Sequence, residues 1–135
     1  MISTVSIDAP GGKINAILGM PDGAGPFPTI VVCHHRWGLD KFTESVVQRL
    51  NENGFIAGAP NFYHRRPAGE DSGEAMKYLD DDEIIADIRV TTAYFQKQIS
   101  LETAILRSSM QDELQEMINR GAGVTKGAPP PAGKR

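Results

Sequence analysis

The sequence predicts a three-layer α/β fold: a mainly parallel sheet, partial in extent, with an N-terminal antiparallel hairpin and flanking helices. Three observations predict it. Two alternating stretches, "STVSID" and "KINAIL", are separated by "APGG". The short β-branched run "TIVVC" precedes a helical pattern and a second apolar run, "FIAGAP". An acidic segment then opens a longer helical pattern from Asp80 onward.

Period-two alternation marks half-buried strands, and a proline with two glycines between them supplies the turn of a hairpin. "MPDGAGPFP" reads as a loop of turn formers. "TIVVC" is continuously apolar, the pattern of a strand covered on both faces. Phe42, Val46, Val47 and Leu50 then recur at helical spacing behind Asp40, a side chain suited to an N-cap, and Asn53-Gly54 closes that helix. With "FIAGAP" following, strand, helix and strand make a βαβ unit with parallel strands. Ile84 or Ile85, Ile88, Thr92 and Phe95 share one face of the next helix, with acids in its first turn where the helix dipole favours them. A further helix is expected over residues 101–120, striped by Leu106, Met110, Leu114 and Met117 or Ile118. Residues 121–135, rich in Gly, Ala and Pro with three basic residues and no acid, have the composition of a disordered tail.

Composition narrows the function. With 135 residues, the chain is long enough for one core and too short for two. A net charge of −3 gives no broad basic surface, so neither nucleic acid nor anionic lipid is an expected partner. A single cysteine, Cys33, excludes an internal disulfide framework, and the absence of a signal-peptide pattern points to the cytoplasm. No apolar run approaches the roughly 20 residues of a membrane-spanning helix.

In parallel α/β sheets, ligands bind beyond the carboxyl ends of the strands. "HHRWGLD" and "NFYHRRPAG" occupy two such ends, bringing His34, His35, Arg36, Trp37, Tyr63, His64, Arg65 and Arg66 to one edge. A ligand site and a solvated rim, with Trp37 and Phe62 covering the core, are the two readings. Arg36, Arg65 and Arg66 could serve as fork donors to a small carboxylate or phosphate. A metal site built from His34, His35 and His64 is disfavoured, because adjacent residues of an extended segment point to opposite faces.

The stretch "PTIVVCHHRWGLDKFTESVVQRLNENGFIAGAPNFYHRRP" resembles the N-terminal part of the dienelactone hydrolase family, over about Pro10 to Gln98. The resemblance implies an α/β-hydrolase fold and hydrolysis of an ester or lactone by a cysteine or serine nucleophile, without metal or organic cofactor. It further implies that the Arg36 backbone N–H is the oxyanion donor, and that His35 stands where the family commonly has a glutamate near the nucleophile. Arg65 matches the arginine that binds the substrate carboxylate, and Trp37 and Tyr63 flank it as substrate-binding candidates.

The family's nucleophile lies on an elbow of the form Gly-x-Cys/Ser-x-Gly, followed by an acid and a histidine. Four glycine pairs here have that spacing, and their central residues are Pro21, Ile56, Asp71 and Thr125. All three histidines lie at or before His64, so a triad in the family's order cannot be assembled. Cys33, placed inside a strand end, reads as a buried and inert thiol. These patterns predict a chain inactive by itself, organised as a hydrolase-like part over residues 1–100, the helix at 101–120 and the tail at 121–135. A frameshift or truncation, a shortened noncatalytic descendant, or a member of an assembly would each give such a chain. The last strand, Phe55 to Ala59, and the helix at 101–120 are expected to drive homodimerisation or other self-association.

Overall fold

A computed structural model describes residues 2–127. Strands β1 (Ile2–Ala9) and β2 (Gly12–Gly19) form the expected hairpin, with Ile2 opposite Gly19 and Ala9 opposite Gly12. Strand β3 (Thr29–Val31) and helix α1 (Lys41–Glu52) follow, then β4 (Ile56–Pro60), the short helix α2 (Ser72–Ala75) and a single 3₁₀ turn at Met76–Tyr78. Helix α3 (Asp81–Gly127) completes the described chain.

The sheet order is β1-β2-β4-β3, with β2 antiparallel and β3 parallel to β4. This corrects the expected edge. Phe55 to Ala59 does not form an unpaired border, because β4 is flanked on both sides and β3 lies at the border instead. "TIVVC" is likewise shorter and less covered than its pattern predicts: only Thr29–Val31 pair, and all three are half-buried.

Alternation along the inner strands builds three layers. Ile17, Ala57 and Ala59 face Val47 of α1, with Leu39 and Leu50 closing that core. On the opposite face Ile7, Ile14 and Ala16 meet Val90 and Tyr94 of α3. Gly58 explains how closely α3 approaches, since a Cβ there would fall 1.7 Å from the Phe95 ring. Asp40 caps α1 as expected, its carboxylate accepting from the Thr43 backbone N–H at 3.0 Å and hydroxyl at 2.9 Å. Phe42, placed on the apolar face by spacing, is exposed.

Two compact units divide after Gln96. Helix α3 itself is continuous through that point, so the break expected between residues 98 and 101 is absent. Good helix formers on both sides and no proline or glycine between Asp81 and Arg120 account for the continuity. The helix also extends through residues 121–127, where a tail is expected, and residues 128–135 lie outside the described residues. Among the described residues no helix is long and apolar enough to cross a membrane.

Candidate functional site

The site is built where β3 and β4 end side by side. Val32 donates its backbone N–H to the Gly58 carbonyl at 2.7 Å, and the chain then leaves the sheet. His34 ties the two departing loops together: its Nε2 accepts from the Phe62 backbone N–H at 2.9 Å, while its Nδ1 meets the His35 carbonyl at 2.7 Å. A carbonyl can only accept and an N–H can only donate, so these partners require the neutral ring protonated on Nδ1. Burial lowers the His34 pKa in the same direction. His34 is therefore a staple, held against Phe62 and Tyr63 with ring centroids 5.0 Å away in each case.

His35, Arg36 and Trp37 form the exposed turn. Gly38 closes it with its N–H on the His35 carbonyl at 3.0 Å, and its φ of +78° is a conformation that favours glycine. Tyr63 reaches across from the other loop, donating its hydroxyl to the Arg36 carbonyl at 2.7 Å. That bond fixes the carbonyl of the residue expected to supply the oxyanion donor. Burial raises the Tyr63 pKa, against a smaller lowering by the Arg36 charge, so the phenol stays a donor. The Arg36 guanidinium lies over the Trp37 ring, 4.9 Å from its centroid, and forms no ion pair among the described residues. His35 leans on the Phe42 ring and lies 3.9 Å from the Asp40 carboxylate.

Arg65 and Arg66 are engaged within the chain. Arg65 forks onto Asp87 through two hydrogen bonds of 3.0 and 2.8 Å and also pairs with Glu83. His64 Nε2 shares the same Asp87 carboxylate at 3.0 Å, in a setting where His64 and Asp87 side chains are 5% and 2% exposed. Arg66 forks onto Glu70 at 2.8 Å on both arms and stacks on Tyr78, 3.8 Å from the ring centroid. The carboxylate that Arg65 was expected to find in a substrate is thus already present as Asp87. Asp87 is not among the site residues the sequence reading singled out. Its position is the signal that could have found it, three residues after Ile84 and four before Thr91, inside the apolar stripe.

A cavity of about 370 Å³ lies between the two loops, bounded by Trp37, Gly38, Tyr63, His64, Arg66 and Glu70 among others. Its walls mix aromatic faces with hydrogen-bonding groups, the lining of a small-molecule site. His35 and Arg36 lie outside this lining, and Arg65 borders a neighbouring cavity of about 220 Å³ with Tyr78 and Glu83. Among the described residues no cluster of His, Cys, Asp and Glu is arranged to hold a metal.

Cys33 is exposed, which corrects its expected burial: pairing stops at Val31, so the residue falls beyond the strand. Desolvation still raises its thiol pKa, disfavouring the nucleophilic thiolate. Asp71, centre of one glycine pair, caps α2 by accepting from the Glu74 backbone N–H at 3.2 Å.

The sheet order, its two covering helices and a ligand-sized cavity at the strand ends define the class as α/β-hydrolase. Solved structures agree in fold. A dienelactone hydrolase structure from Klebsiella pneumoniae, so named provisionally, superposes with a TM-score of 0.64 at 23% identity, covering 72% of this chain and 44% of that one. A dienelactone hydrolase-like promiscuous phosphotriesterase from metagenomic libraries gives 0.54 at 21% identity, covering 69% and 43%. The chain belongs to the dienelactone hydrolase family, whose pattern matches residues 14–111. A provisionally named carboxymethylenebutenolidase of Methylorubrum extorquens is 30% identical over 111 residues, covering 76% of this chain. One of Synechocystis is 30% identical over 94 residues, covering 62%. The chain spans 38% of the length of each of these two relatives.

Proposed function

We propose that this chain provides the ligand-holding side of an ester or lactone hydrolase site, and that it binds a small carboxylate- or lactone-bearing molecule without turning it over. The observation that carries this reading is that Trp37 and Tyr63 line a 370 Å³ cavity while both also hold Arg36, the first under its guanidinium and the second through its carbonyl. Arg36 is the fork donor with no internal ion pair among the described residues, whereas Arg65 and Arg66 hold Asp87, Glu83 and Glu70. Of the three arginines, Arg36 is therefore the one whose fork is open to a bound carboxylate, beside the aromatic face of Trp37.

Turnover needs a nucleophile with a base beside it, and this sequence offers neither in the family's elbow and order. The Arg36 backbone N–H would stabilise an oxyanion only when such a nucleophile is brought to it. No metal or organic cofactor enters the reading. An unpaired, exposed Cys33 suits the reducing cytoplasm.

Trp37 is the chain's only tryptophan and stands 61% exposed at the site, so its fluorescence reports binding directly. Titration with maleate and with a small unsaturated lactone should change that fluorescence saturably. Arg36→Gln should weaken maleate by about tenfold, the loss of one charge-assisted fork, while affecting the neutral lactone less. An unresponsive Trp37 for both compounds at millimolar concentrations would refute the proposal.

A further inference from the structure

Helix α3 carries a face that no ligand site explains. Along residues 99–121, Ile99, Thr103, Leu106, Met110, Leu114, Met117 and Gly121 follow spacings of four, three, four, four, three and four. At 100° per residue all seven fall within about 40° of the direction of Met110, so they form one stripe. Leu106, Met110, Leu114 and Met117 are each at least 56% exposed, and Ile99 is half-buried. Leu101 and Ile105 are also exposed but lie off this line.

The spacing is a palindrome about Met110. A second helix running the opposite way, related by a two-fold axis at Met110, therefore sets Leu106 against Leu114, Thr103 against Met117, Ile99 against Gly121 and Met110 against itself. Isologous contacts of this kind are the usual basis of two-fold dimers. One flanking pair is complementary in charge. Glu102 and Arg120 both lie about 80° to the same side of the stripe, and the two-fold brings each within about 3 Å along the axis of its opposite in the other copy. Antiparallel helices also oppose their dipoles, which parallel ones do not.

We propose that residues 99–121 of α3 are a self-recognition face, and that its occupant is the same segment of a second copy of this chain, antiparallel and in register at Met110. The chain is then a two-fold homodimer through α3. Border strand β3 is not required for it.

The test uses the full chain with Cys33→Ser, so that introduced thiols react alone. Light scattering across a dilution series should give twice the chain mass, and Met110→Glu with Leu114→Glu should raise the dissociation constant at least about a hundredfold, with helical circular dichroism retained. Mild oxidation reads the register. Chains carrying Thr103→Cys mixed with chains carrying Met117→Cys should cross-link as a mixed pair. Thr103→Cys alone should stay uncoupled, since the two-fold places its copies about 21 Å apart along the axis, far beyond disulfide reach. A folded monomer at high micromolar concentration, an unchanged mass in the glutamate variant, or self-coupling of Thr103→Cys in place of the mixed pair would each overturn the proposal.

Discussion

Replacing Asp87 with alanine tests how the two strand-end loops are held. The carboxylate is 2% exposed and receives both arms of the Arg65 fork together with His64 Nε2. After truncation His64, 5% exposed, keeps a polar ring nitrogen with its partner removed, a loss of roughly 1–3 kcal/mol for a buried group. Arg65 loses less, because it is 36% exposed and retains Glu83, so its share is put at about 1 kcal/mol or below after solvent screening. Together Asp87→Ala should cost about 2–4 kcal/mol. Glu83→Ala touches the same guanidinium from a position 43% exposed and should cost less than about 1 kcal/mol. Urea unfolding followed by Trp37 fluorescence and by circular dichroism measures both. Equal losses in the two variants, or a loss below about 1 kcal/mol for Asp87→Ala, would refute the view that the buried network anchors the loops.

Further expectations follow from single side chains. Gly58→Ala would set a methyl 1.7 Å from Phe95 Cε2 and should destabilise by about 1–3 kcal/mol or more, with a smaller loss in a Phe95→Leu background; equal losses in both backgrounds would contradict the packing. His34 has a lowered pKa in the fold, so its contribution to stability is complete above about pH 6.5 and falls as the pH drops below it, when the unfolded chain takes up a proton that the folded ring resists. His34→Gln should flatten that part of the stability profile, and an unchanged slope would dismiss the staple. Cys33, exposed but with a raised thiol pKa, should react with a disulfide reagent at neutral pH more slowly than free glutathione, and a faster reaction would show an activated thiolate.

The hairpin, the β3-α1-β4 unit, the Asp40 cap and the α3 contact through Phe95 were all legible in the sequence, because alternation, capping residues and helical spacing are local signals. Sheet order was less so. Which strand becomes the border depends on β2 choosing β4, a contact spanning some forty residues that no local pattern encodes. The continuity of α3 was hidden by a change of composition after Gln98 that does not alter helix propensity. At the site, the gathering of Arg36, Trp37, Tyr63 and His64 followed from their places after two parallel strands. The use of each group did not follow, since it depends on partners distant in sequence: Asp87 of α3 occupies Arg65, and the Phe62 amide, in the loop after β4, orients His34.

The role proposed for this chain is to hold a hydrolase ligand without hydrolysing it. Rapid mixing of the purified chain with nitrophenyl acetate, followed by nitrophenol absorbance against a protein blank, tests that claim most directly. No burst and no turnover above the blank are expected, since the described sequence offers neither nucleophile nor base in the family's elbow and order. A burst stoichiometric with protein that vanishes in Cys33→Ala would contradict it, and would make Cys33 the nucleophile.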